Sequence, residues 1–257
     1  MKWLKQSRHI PREDLNALEN ALTAFYSSPP QEYHETAKAA NIDWSQPDHV
    51  FHRRILARAH RGASVLDVGC EPSTACPLFV EKGAFYTGVD LSEEQVSLNR
   101  SRFPKCEFLF MHWRDTINLN ALYDLVTSFF VLEHIVHPQE FLRASASCVK
   151  PGGFLCILCP HYLDLGYMPS LYFFGRKPGG IRIKIRNYQW MEAFIELTNR
   201  CIAFPIFLRK ARFTAKRGGA WVINLRPASL DVKSWERDWD AVYMVSEDEI
   251  VKYIETI

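Results

Sequence analysis

No apolar run in this chain of 257 residues is long enough to span a bilayer, so an integral membrane helix is not expected. The first residues, Met1-Lys-Trp-Leu-Lys-Gln6, also lack an apolar signal core. Net charge is nearly absent: 31 basic against 29 acidic side chains leave +2. The global balance therefore names no class of partner. Cysteines number seven, an odd and scattered set at Cys70, Cys76, Cys106, Cys148, Cys156, Cys159 and Cys201. That argues against a disulfide framework and suits reduced thiols in a cytoplasm. Cys156-Ile-Leu-Cys159 has the C-x-x-C form but falls in an apolar run of strand character, where alternation sends the two thiols to opposite faces. His49 and His52, three apart with no third ligand signalled, read as a solvated helix face. No metal is expected. What the chain does have is apolar material, 47% of its residues, enough for one good core with an elaboration.

That material is organised around one segment, Ala63-Ser-Val-Leu-Asp-Val-Gly-Cys-Glu-Pro-Ser-Thr74. An apolar run ends in an acid and a glycine, turns tightly and then becomes helical. A buried parallel strand that delivers a nucleotide-like ligand to a helix N-terminus is built this way. Phe85-Tyr-Thr-Gly-Val-Asp-Leu-Ser92 follows as a second strand ending in Asp90, whose carboxylate can accept hydrogen bonds from both hydroxyls of a ribose. Tyr123-Asp-Leu-Val-Thr-Ser-Phe-Phe-Val-Leu-Glu-His134, His137-Pro138 and Val149-Lys-Pro-Gly-Gly-Phe-Leu155 come next. In this order and spacing the segments resemble the class I S-adenosylmethionine-dependent methyltransferases, in particular the small-molecule branch that includes quinone-biosynthesis enzymes. The resemblance covers about Ala63 to Pro160. An NAD-dependent dehydrogenase would show a fuller G-x-G-x-x-G fingerprint and would have no use for Lys150-Pro-Gly-Gly153.

The resemblance implies a cofactor, S-adenosylmethionine, and places residues around it. Asp67, Gly69, Cys70 and Glu71 would shape the loop under the methionine part. Asp90 and Leu91 would hold the ribose, His112 and Trp113 would border the adenine, and Phe129 would flank the methionine. Glu71 departs from the pattern, as does Ser73, because glycines are usual at both positions. If the Glu71 carboxylate lay about 4 Å from that of the cofactor, repulsion would be about 1 kcal/mol in water and up to about 4 at an effective dielectric near 20. Turned to solvent, or to the cofactor's ammonium, it would be harmless or helpful. Candidate bases for the acceptor are His134, after the fourth strand, and His161, after the fifth.

Four zones are expected along the chain. Residues 1–62 read as a helical cap, with helices over Pro11–Phe25, Gln31–Ala40 and Asp48–His60. Residues 63–160 alternate strands and helices, the signature of a doubly wound, mostly parallel α/β sheet with right-handed crossovers. Strands are predicted at Ser64–Val68, Phe85–Asp90, Glu107–Met111, Leu125–Phe129 and Phe154–Cys159, with Ser92 capping the second crossover helix. Residues 161–226 form a basic insertion after the fifth strand. Residues 227–257 read as a strand, Ala241–Val245, and a Ser246-capped helix that would complete a seven-stranded type of sheet, one structural domain overall.

Between Leu171 and Arg226 the insertion has many bases but only Glu192 and Glu196 as acids. It reads either as a solvated positive surface or as a substrate lid in which Tyr172, Phe173, Arg176, Lys177, Arg182, Lys184 and Arg186 flank an anionic acceptor. Phe204-Pro-Ile-Phe-Leu-Arg-Lys-Ala-Arg-Phe213 would add an apolar wall, or an interfacial face for peripheral membrane association. The combined expectation is a cytoplasmic enzyme that methylates a small-molecule acceptor, anionic or sugar- or lipid-like. Two alternatives stay open: a catalytically degenerate fold that serves a partner, and a nucleic-acid methyltransferase. Against the last, no RNA-binding module is appended, and no Asn-Pro-Pro-Tyr or cysteine-based motif follows the fourth strand.

Overall fold

A computed structural model describes residues 3–31, 33, 49–163, 181–230 and 239–257. The chain divides into two compact units. One comprises Thr23–Leu132 and His137–Cys159; the other comprises Met1–Leu22, Glu133–Val136 and Pro160–Ile257.

In chain order the strands are β1 (Leu4–Gln6), β2 (Ser64–Val68), β3 (Phe85–Asp90), β4 (Glu107–Phe110), β5 (Tyr123–Phe129), β6 (Val149–Leu158) and β7 (Val222–Asn224). The first unit holds a five-stranded sheet in the order β4-β3-β2-β5-β6, all parallel. Its central strand β2 is buried from Val65 to Val68, and apart from Asp67 that stretch is apolar. Val65, Phe79, Tyr86, Val96, Phe108 and Leu125 meet in the core around it.

Lys150-Pro-Gly-Gly153 now has a physical role. Val149 pairs with Tyr123, but the next register pair joins Phe154 to Leu125, so the intervening residues bulge out of β6. A Cβ on Gly153 would stand 2.8 Å from the Asp124 carbonyl oxygen, so only glycine fits the return. Lys150 Nζ lies 2.9 Å from Asp124, which also accepts the Ser64 amide at 2.7 Å. These bonds hold the Asp124 carboxyl well below the usual carboxylate range and fix the amino-terminal edge of β2, β5 and β6.

The second unit is built from distant pieces of chain. β1 and β7 form a separate antiparallel pair, with Leu4 opposite Asn224. Ala241–Val245, read as a further strand of the main sheet, instead makes one bridge, Tyr243 to Ile223. Its amides at Val242 and Tyr243 donate to the Glu133 carbonyl. Among the described residues the main sheet thus has five strands rather than seven. Glu249, on the last helix (Glu247–Ile254), is buried and accepts the Trp221 amide and the Tyr243 hydroxyl. Helices Ile181–Arg186, Trp190–Thr198 and Phe204–Ala215 complete the unit. No helix among the described residues is long and apolar enough to cross a membrane.

Candidate functional site

The carboxyl ends of β2, β3 and β5 lie side by side because β2 pairs with both of the others. The strand order reverses between β2 and β5, and open α/β sheets bind their ligands in the crevice at that switch. The residues singled out around β2 and β3 converge there.

Gly69 leaves β2 with φ near 78°, and a Cβ on it would sit 2.4 Å from Val131 Cγ2. The amides of Gly69 and Cys70 both donate to the Val89 carbonyl, at 2.8 and 3.0 Å, and tie the loop to β3. The chain then enters the left-handed region at two residues that are not glycine, Glu71 (φ 40°) and Ser73 (φ 51°). Each such residue costs about 1–2 kcal/mol in backbone strain. The compensation is Asn99, which sequence reasoning missed. Its Nδ2 donates to the Glu71 carbonyl at 2.6 Å and to Ser73 Oγ at 3.0 Å. Its Oδ1 in turn accepts Gln95 Nε2 at 3.1 Å. Gln95 and Asn99 stand four apart on the buried face of the helix Glu93–Arg102. That amide pair beside Val96 was the available signal.

Asp90 ends β3 and grips the same loop. One carboxylate oxygen accepts the Glu71 amide at 2.8 Å and the other accepts the Ser92 amide at 2.9 Å. Ser92 Oγ then caps the helix by accepting the Gln95 amide, as its sequence position implies. Leu91, between them, is half-buried. The direction of Glu71 is settled by its partner: its carboxylate accepts a hydrogen bond from the Tyr33 hydroxyl. Tyr33 itself packs edge-on against Phe25, with centroids 6.0 Å apart.

Asp67 works from beneath. Buried in β2, it accepts Tyr86 Oη at 2.6 Å and Thr127 Oγ1 at 2.9 Å. Burial raises its pKa from 3.8 to about 6, opposed by those two hydrogen bonds, while the Asp90 charge adds a smaller push upward. His112 accepts the Arg114 amide on Nδ1 and caps the turn Trp113–Leu119. Burial, and next the Arg114 charge, lowers its pKa. Trp113 is only 8% exposed, edge-on to Phe141 at 5.5 Å with the Arg114 guanidinium 4.4 Å above its ring. Most of its area is thus committed to packing.

Phe129, at the end of β5, stacks on His52 with centroids 5.8 Å apart and planes within 3°. This corrects the reading of His52 as part of a solvated face, since the ring is buried against the strand end. Three residues after His49 and followed by Arg53 and Arg54, His52 gives no sign of this from sequence.

The remaining candidates among the described residues, His134 and His161 included, belong to the second unit. His134 lies between two carboxylates, with Nδ1 3.5 Å from Asp240 and Nε2 3.8 Å from Glu133. His161 Nε2 accepts the Glu247 amide at 3.1 Å and so caps the final helix. Ser246, expected to be that cap, makes no capping bond. Lys184 is not presented outward but is buried in an ion pair with Glu196. Arg182 and Arg186 are exposed, whereas Tyr172, Phe173, Arg176 and Lys177 lie outside the described residues.

Residues 45–193 match the methyltransferase domain family. Among curated relatives, a ubiquinone biosynthesis O-methyltransferase of Pectobacterium carotovorum is 34% identical over 97 residues, 36% of this chain and 41% of that protein. One of the same description from Bordetella avium is 30% identical over 143 residues, 53% of this chain and 56% of its own. The chain thus spans about half the length of these relatives or less. A sugar N-methyltransferase of Streptoalloteichus sp. superposes at a TM-score of 0.44 with 19% identity, over 54% of this chain and 57% of its own. A score that low says nothing of function.

Proposed function

Given that the chain belongs to the methyltransferase domain family, we propose that it transfers a methyl group from S-adenosylmethionine to a small-molecule acceptor. The observation that supports this most is the Asp90 carboxylate, half-exposed at the end of β3, with one oxygen held by the Glu71 amide of the loop after β2 and the other by the Ser92 amide. A carboxylate has about four acceptor positions, so two ribose hydroxyls are within its capacity. The loop is compatible with a cofactor beside it. A side chain at Gly69 would collide with Val131, and the Glu71 carboxylate is engaged by Tyr33.

When bound, the cofactor supplies an electrophilic methyl on a sulfonium and leaves as a neutral thioether. The protein's work is then positional. Asp90 orients the ribose, the loop Gly69–Ser73 sets the approach of the methionine portion, and Phe129 on its His52 backing walls the crevice beside β5. Leu91, His112 and Trp113 complete the adenosyl end. In this reading Trp113 acts through the shape of the packed turn Trp113–Leu119 rather than through a bare stacking face. The candidate bases are His134, placed beside Glu133 and Asp240, and His161, which holds the Glu247 amide on Nε2. The acceptor we favour is anionic, sugar-like or lipid-like, with Arg182 and Arg186, and Tyr172, Phe173 and Arg176 in sequence before them, as its contacts.

Titration calorimetry with S-adenosylmethionine and with its demethylated product tests the core of the reading. Both should bind the wild type. Asp90→Ala should weaken binding by about tenfold or more, since each hydrogen bond to a charged group contributes about 1.5–3 kcal/mol. No binding to the wild type, or equal affinity in the two proteins, would sink it.

A further inference from the structure

Two neighbouring helices of the second unit carry their apolar side outward. In Trp190–Thr198, Met191 is 71% and Phe194 65% exposed, and Ile195 shares their side, whereas Glu196 is 3% exposed. A surface helix of a globular protein does the reverse. The inversion has a cause, because Glu196 is drawn inward by Lys184 of the helix Ile181–Arg186, and a buried charge requires such a partner. The same pull leaves Ile183 outside where Lys184 is inside. The helix Phe204–Ala215 buries Phe204, Leu208 and Ala211 and leaves Ile206 and Phe213 in the open. Exposed apolar area on this scale marks an interaction surface.

Charge decides which partner fits. Arg182, Arg186, Arg209, Lys210, Lys216 and Arg217 are all exposed, and Glu192 is the one exposed acid among residues 181–217. A second copy docking through the same patch would bring that positive charge against itself. An anionic bilayer offers hydrocarbon to the apolar stripe and negative headgroups to the bases, with Trp190 and Tyr188 suited to the depth between them. We propose that the face built by residues 181–217 docks on an anionic lipid surface and lies in its interface. The proposal does not depend on the methyl-transfer reading.

Flotation of the full chain with vesicles tests it. The protein should rise with vesicles of phosphatidylcholine mixed with phosphatidylglycerol, and not with phosphatidylcholine alone. Added salt should reverse the binding. Arg182→Gln should weaken it about fivefold, and adding Arg186→Gln should multiply the loss. Met191→Ser with Phe194→Ser should weaken it independently of salt, with the circular dichroism spectrum unchanged because both residues are exposed. Failure to float with either vesicle overturns the proposal. So does equal flotation of wild type and the double arginine variant, or a concentration-dependent dimer that Met191→Ser disperses without any vesicle binding. Cofactor calorimetry on the same preparation keeps failure here distinct from failure of the methyltransferase reading.

Discussion

At the scale of single residues, the site is dominated by side chains holding backbone. Glu71 occupies a left-handed position that glycine would fill without strain, yet its carboxylate meets the Tyr33 hydroxyl. Glu71→Gly should therefore relieve about 1 kcal/mol of strain and lose that contact, leaving cofactor affinity equal or weaker. A tenfold tightening by calorimetry would show instead that the carboxylate repels the ligand. Asp67 gives a pH signature. Its pKa is 3.8 in the unfolded chain and about 6 in the fold, so between those values the folded protein holds the extra proton. Its contribution to stability is present below about pH 4, is lost as pH rises toward 6, and is constant above that. The stability of wild type relative to Asp67→Asn, from denaturant titrations, should fall by about 3 kcal/mol across that window. A flat difference would mean Asp67 titrates like an exposed acid.

Elements show what the sequence could and could not reveal. β2 and β3 run over the residues predicted, because each is rich in aliphatic, aromatic or β-branched residues and is closed by turn residues. β6 begins earlier than predicted, since Val149 pairs before the bulge and the glycines hide the join. The helix Glu93–Arg102 was legible by its cap, but not the reason for its buried face. Gln95 and Asn99 are polar, and apolar periodicity cannot register a face that packs against a loop's backbone. Asn99→Ala should expose that dependence. It leaves the Glu71 carbonyl and Ser73 hydroxyl without their amide donor, at a cost of about 1–3 kcal/mol. Thermal melting should register the loss, and cofactor affinity should fall with it. An unchanged melting temperature and affinity would show that the loop holds its shape unaided.

For the whole molecule, the division into units was the least legible feature, because it follows neither composition nor chain order. Residues 133–136 leave the strand-rich unit between β5 and its next helix and belong with the two ends of the chain. Three-residue strands such as β1 and β7 carry too little pattern to be recognised, and their pairing joins residues far apart in sequence. This has a consequence in time. The strands β2 to β6 complete their pairing within residues 64–158, whereas Leu4 finds no strand partner until Asn224 is available. Closing so long a loop is slow relative to local pairing, so the start of the chain should be among the last parts to acquire protection. Pulsed hydrogen exchange during refolding should show the amides of Val65–Val68 shielded before those of Leu4–Gln6. Simultaneous protection would mean that the two units fold as one.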